Sequence, residues 1–256
     1  MSEACAHQPD APVRDHSPGM SVFLHLFPGA LLTALFVLAV PLGERIGVPS
    51  FTTFFVLGIL VLLPFELGVL VWEGWRRNAS ACLDGVVMFR QPLPAWQYPA
   101  TIVPLIVWAG VAFMLVNPPA EAAIIERFFG WVPEPFFVGS FAEHMERYSR
   151  TLLLVSAIVM VVVNGVIGPV VEELYFRGYL LPRMSWSGDW APVLHSVLFA
   201  VYHFFTPWQT PARIVAFTPV FYAVWWKRNI YIGIVVHCLL NFAASVGLLL
   251  FVLRSG

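Results

Sequence analysis

The sequence predicts an all-α fold, a polytopic transmembrane helical bundle of about seven to eight spans. Three observations lead to it. Hydrophobic residues fill 59% of 256 positions and charged residues only 11%, whereas soluble domains carry about 25% charged residues, so the chain cannot build a water-facing shell. The apolar residues gather into runs close to the ~20 residues that cross a bilayer as a helix. The intervening loops hold most of the arginines. A net charge of −1 offers neither a nucleic-acid face nor a polybasic membrane tether.

In chain order, residues 1–20 are polar, with Pro9, Pro12 and Pro18, and read as a short disordered tail. They lack the compact apolar core and small-residue cleavage site of a secretory signal. Apolar runs at 22–40, 51–72, 99–116, 151–171, 190–205, 212–226 and 230–253 give seven candidate spans, eight if the fourth is broken. The runs near 190–226 are short for a bilayer and are tolerable if protein covers their ends. These spans divide into an N-terminal membrane region, 21–150, and a helical bundle, 151–253. Loop 73–98 carries Arg76, Arg77 and Arg90; loop 117–150 is rich in aromatics (Phe128, Phe129, Trp131, Phe136, Phe137) and reads either as an interfacial segment or as an ordinary extramembrane loop. A cytoplasmic N-terminus puts Arg76, Arg77, Arg90, Lys227 and Arg228 inside, while Arg127, Arg147 and Arg150 count the other way. Cys5, Cys82 and Cys238 are far apart and predict neither a zinc site nor a disulfide framework.

Ionisable groups inside a bilayer cost roughly 2.5–3.5 kcal/mol each on insertion scales, so they mark functional positions. The densest group ends the fourth run, where Gly168-Pro-Val-Val-Glu172-Glu173 leads to Arg177 and Gly178. Pro169 removes a backbone donor and frees the carbonyl of Gly165, which predicts a kinked, locally opened helix before the glutamates. Glu173 and Arg177 are spaced i, i+4 and can pair. Glu172 points about 100° away, free to face a cavity, where an apolar pocket suits a carboxyl to acid–base work. Phe199 and His203 follow near the end of the next run, and His237 and Asn241 share one face of the last. Alone, His203 reads as a structural hydrogen-bonding residue and the His237/Asn241 pair as interhelical glue; with the glutamates they form an acid, base and donor set on three helices. Glu66, after Pro64, lacks an evident cation partner; His25 and His195 read as interfacial; Gly58, Gly68 and Gly247 read as helix-contact positions.

Glu172-Glu173-x-x-x-Arg177, Phe199-x-x-x-His203 and His237-x-x-x-Asn241 resemble the ordered motifs of the CPBP family. That family joins the type II CAAX prenyl endopeptidases with the bacteriocin-processing and immunity proteins of the Abi group. The resemblance covers about 150–245. It implies a glutamate-type intramembrane endopeptidase, multi-pass in a bacterial plasma membrane, acting on membrane-anchored or lipidated protein substrates. Glu172 would activate water with His203, His237 and Asn241 would stabilise the oxyanion, and Glu173 and Arg177, with Phe199, would support them.

Other intramembrane proteases find little support. The His-Glu-x-x-His of a zinc enzyme is absent. A serine protease lacks its nucleophile in a helix, and no predicted span has an interior aspartate. The expected chemistry therefore uses no metal and no cofactor, and the expected partners are membrane lipids and a peptide substrate, with no nucleic acid. The other classes are a non-catalytic immunity or scaffold protein of the same fold, and a proton-relaying transporter, which commonly has repeated halves; no repeat is evident here.

Overall fold

The computed structural model describes residues 14–255, and among them the chain is helical with no β-strand. Seven helices follow in order: α1 Pro18–Arg45, α2 Ser50–Asn78, α3 Gln97–Phe129, α4 Arg150–Arg183, α5 Ala191–Tyr202, α6 Thr210–Lys227 and α7 Ile230–Arg254. Each apolar run of the sequence overlaps one of these helices. Five of the helices among the described residues, α1 to α4 and α7, are long and apolar enough to cross a membrane, fewer than the seven to eight spans expected. Helix α5 has 12 residues and rises only about 18 Å, short of a hydrocarbon core of about 30 Å. Hydropathy alone cannot separate an apolar helix facing lipid from one covered by protein.

The ends of the bundle are fixed by pairs distant in sequence. At one end the His16 amide donates to the Arg183 carbonyl at 3.1 Å, and Arg90 bridges to Asn229. At the other, the Tyr148 hydroxyl donates to Glu44 at 2.9 Å and the rings of Phe51 and Phe141 stack 4.1 Å apart. Helices α5 and α6 leave the first end as a hairpin and return to it. Their turn, residues 203–209, reaches toward the second end, where Trp208 packs on Phe129 and Phe137. Non-helical backbone at membrane depth is tolerated only where protein or a cavity surrounds it, and α1, α3, α4 and α7 supply that cover.

The surface is inverted relative to a soluble protein. Leu38, Met114 and Leu115 are at least 70% exposed, while Glu66, Glu173, Arg177 and His195 are buried. Trp72, Trp75, Trp96, Trp190 and Trp226 are exposed near the helix ends that carry Arg76, Arg77, Arg90 and Lys227, the position of an interfacial aromatic belt.

Several local expectations are revised. Residues 1–13 of the predicted tail lie outside the described residues, and helix α1 already begins at Pro18, with the Ser17 hydroxyl accepting from the Met20 amide. Burial and the nearby charge of Arg183 push His16 down to about 4, so its neutral ring can share a proton with the Tyr179 hydroxyl at 3.3 Å. Helix α3 continues through Pro118 and Pro119 to Phe129, well beyond 116, and ends in a π turn at Ile125–Phe129. Helix α4 carries π segments but is not broken. Cys82 is disulfide-bonded, although the cysteine spacing predicts no disulfide framework. Gly58, Gly68 and Gly247 touch nothing within 4 Å of a would-be Cβ, so they are not contact glycines. The close approaches are elsewhere, chiefly at Gly29, where a Cβ would overlap the backbone carbonyl of Tyr202.

Gly29→Ala is therefore expected to separate α1 from α5 and cost about 1–3 kcal/mol, as overpacking does. Gly68→Ala, with open space around it, is expected to be neutral or stabilising. Thermal unfolding of the purified variants in detergent micelles checks this; equal midpoints would mean that the α1–α5 contact is not close.

Candidate active site

The predicted opening of α4 is present. Pro169 cannot donate to Gly165, and the helix widens into a π turn at Val163–Ile167 before resuming an α turn at Gly168–Glu172. A second π segment runs Glu173–Leu180. Glu172 and Glu173 thus stand at the junction between two local geometries and diverge.

Glu173 turns into the protein. It pairs with Arg177 at 3.2 Å, both side chains only 1% exposed. The same oxygen, Oε1, accepts from His237 Nδ1 at 3.0 Å. The Arg177 guanidinium is held between two aromatic faces, 3.9 Å from the ring centroid of Phe199 and 4.1 Å from that of Phe221. Glu173 Oε2 packs against Gly233, where any side chain would overlap it. Four helices meet at this ion pair.

Glu172 faces a cavity of about 640 Å³, whose wall also includes Phe199, His203, His237 and Asn241. Ligand sites commonly occupy roughly 300–1,000 Å³. Glu172 Oε2 lies 3.9 Å from His237 Nε2, and Oε1 lies 3.4 Å from the Tyr202 hydroxyl. His203 caps α5, and its Nδ1 donates to the Phe199 carbonyl at 2.8 Å. That bond leaves Nε2 of the neutral ring as a proton acceptor. Asn241 Nδ2 donates to His237 Nε2 at 3.3 Å, and the Asn241 carbonyl accepts from Ser245, whose hydroxyl accepts from Asn164 at 3.0 Å.

All the residues singled out in the sequence thus converge: Glu172, His203, His237, Asn241 and Phe199 on the cavity, Glu173 and Arg177 directly behind it. Other partners were not evident. The Tyr202 hydroxyl sits between Glu172 and Glu66, 3.5 Å from the latter, which is fully buried. One phenolic proton can serve only one of two carboxyl groups at a time. The cost of charge in an apolar run did flag Glu66, but no spacing rule connects it to Tyr202, 136 residues away. Arg213 also lines the cavity; at the edge of an apolar run it carries no spacing signal that would single it out. His25 and His195 are not interfacial: both are fully buried and hydrogen-bonded to each other at 2.8 Å, tying α1 to α5. The cavity also draws Leu32, Phe54 and Phe113 from the helices before residue 150. Among the described residues no group of three or more His, Cys, Asp and Glu is placed to hold a metal ion.

Residues 154–243 match the family described as type II CAAX prenyl endopeptidase Rce1-like. The matched stretch runs from the first turns of α4 to the middle of α7 and contains both glutamates, Arg177, Phe199, His203, His237 and Asn241. No curated protein and no solved structure matches the chain.

Breaking a buried ion pair at one partner typically costs about 3–5 kcal/mol, because the other charge is left uncompensated. Arg177→Met is expected to lose stability of that order. Adding Glu173→Leu to the same chain is expected to recover most of it. Unfolding titrations in mixed micelles compare the two; a double variant no better than the single would show that Glu173 and Arg177 do not compensate each other.

Proposed function

We propose that the protein is an intramembrane endopeptidase, CAAX-protease-like, that hydrolyses peptide bonds of membrane-anchored or lipidated protein substrates. The observation that carries this reading is the meeting of Glu172, His203, His237 and Asn241, from three helices, on the wall of one largely apolar cavity within the stretch that matches the peptidase family.

The arrangement suits attack by water on a peptide carbonyl. Glu172 and His203 hold the water, and one of them takes its proton as the oxygen adds to the carbonyl carbon. His203 is suited to the share it takes because the Phe199 carbonyl fixes its tautomer. Negative charge then develops on the carbonyl oxygen. Asn241 Nδ2, which in the resting site bonds to His237 Nε2, is the donor that turns to meet it, with the His237 ring beside it as the second polar group. As the C–N bond breaks, the proton passes to the leaving amine. Glu173 does not touch substrate in this scheme; its bond to His237 Nδ1 orients the ring. The apolar cavity excludes bulk water and strengthens each of these interactions.

Glu172→Gln and His203→Ala are expected to abolish cleavage. Asn241→Ala should lower turnover about 10²- to 10³-fold, as loss of one oxyanion donor does. The direct test compares the membrane proteomes of cells expressing wild type, Glu172→Gln and His203→Ala. New protein termini present only with wild type support the reading and identify the substrate. Full complementation of a deletion strain by both variants, with no terminus changed, would overturn it.

A further inference from the structure

Away from the substrate cavity, the first end of the bundle holds a pocket of about 360 Å³ between the residues preceding α1, the end of α2 and the end of α4. Among the described residues its lining sets four arginines, Arg14, Arg76, Arg77 and Arg183, against two acids, Asp15 and Glu73. Glu73 bridges to Arg76 at 2.8 Å, and Asp15 accepts from the Ser185 hydroxyl. Arg183 is the deepest of the four, only 6% exposed. Its Nη1 donates to the Val86 carbonyl at 3.0 Å and the Tyr179 carbonyl at 2.7 Å, and its guanidinium lies 4.2 Å from the centroid of the Tyr179 ring. Asp15 and Glu73 attract Arg183 through space and Arg77 repels it, but neither acid reaches ion-pair contact with it. Neutral groups therefore hold the fork, and the N–H groups on Nε and Nη2 keep no acceptor among the described residues. His16 adds a second idle donor. Its Nδ1 is buried without a partner. When Nε2 accepts from the Tyr179 hydroxyl, the one proton of the neutral ring lies on Nδ1.

A nearly buried cation calls for a counter-charge, and the planar fork of arginine matches a phosphate through paired N–H groups. The surroundings of the pocket say where the phosphate comes from. Arg76 follows the exposed Trp72 by one turn of α2. Leu67, Val71 and Trp75, spaced i, i+4 and i+8, form an exposed apolar line that ends beside Arg76. An acyl chain can lie along that line while its headgroup sits among the arginines, at the level that interfacial aromatics mark. We propose that this pocket binds the headgroup phosphate of an anionic phospholipid. A zwitterionic headgroup brings its own cation, which the surplus of arginines repels, whereas basic pockets at the ends of membrane helices attract anionic headgroups. The bound lipid joins the start of α1 to the ends of α2 and α4 and so stabilises the folded bundle. The proposal does not depend on the endopeptidase reading.

Thermal unfolding of the full-length protein in micelles of an uncharged detergent tests this. The probes are dioctanoyl phosphatidylglycerol, dioctanoyl phosphatidylcholine and sodium phosphate, at equal concentrations. Phosphatidylglycerol is expected to raise the midpoint by roughly 3–6 °C once it reaches about tenfold its dissociation constant. Phosphatidylcholine and phosphate are expected to leave the midpoint where it was. Arg14→Gln combined with Arg76→Gln removes two exposed side chains of the lining, and is expected to abolish most of the shift while moving the lipid-free midpoint little. Arg183→Lys, which keeps the charge and loses the fork, is expected to retain only part of the shift. Arg90→Gln combined with Arg228→Gln removes the same charge at the same end but outside the pocket, and is expected to retain all of it. No shift with phosphatidylglycerol, an equal shift with phosphatidylcholine, or a shift that survives loss of Arg14 and Arg76 overturns the proposal. Equal losses in the two double variants overturn it as well, because the attraction would then belong to the whole basic end. A shift with phosphate as large as that with phosphatidylglycerol overturns the assignment to a lipid.

Discussion

The structure is organised around one buried ion pair. Glu173 and Arg177 are both nearly inaccessible, in a chain whose helices face lipid, and charges there are maintained only if each is compensated. The compensation recruits residues from across the sequence. His237 donates from α7, Phe199 and Phe221 flank the guanidinium from α5 and α6, and Gly233 leaves room for the second carboxylate oxygen. Once these positions are set, α5, α6 and α7 have little freedom in register relative to α4. Glu172, next in the chain to Glu173 but directed elsewhere, then faces the cavity with His203 and Asn241 beside it. The charge that is expensive to bury fixes the geometry of the charge that is left accessible.

Much of this could be read from residues and spacing. The helical class followed from composition and run length, and the seven apolar runs coincide with the seven helices. The i, i+4 pairing of Glu173 with Arg177 and the opening of α4 before the glutamates followed from backbone geometry alone. What spacing could not give was anything decided by contact between distant segments. Whether a short apolar helix crosses the bilayer depends on what surrounds it, and for α5 that is protein. Glu66 showed itself as a costly charge, but its neighbour Tyr202 lies on another helix. The burial of His25 against His195 depends on the close approach that Gly29 allows, and a glycine at a contact looks in sequence like a glycine at the lipid face, as Gly68 illustrates.

The two sides of the site come from different parts of the chain. Glu172, His203, His237 and Asn241 all fall within 154–243, the stretch that matches the peptidase family. Much of the apolar wall, including Leu32, Phe54 and Phe113, comes from α1 to α3 outside that stretch. The segment 130–149 roofs the neighbouring cavity through Phe137 and Val138. Chemistry and selectivity are thus separable in this fold: the first three helices and the roof can vary the shape of the chamber without touching the groups that would attack the bond.

The α5–α6 hairpin has a consequence for how the protein is made. Neither arm is a self-sufficient membrane segment, and the turn between them exposes backbone polar groups that lipid cannot satisfy. During synthesis the hairpin emerges after four long helices are already available and before α7 exists. It can settle only into a partly assembled bundle, against α1 and α3, and α7 then closes over it, bringing His237 and Asn241 last. The order of translation therefore withholds this part of the cavity wall until the chain is almost complete, so a stalled or truncated product lacks His237 and Asn241 altogether.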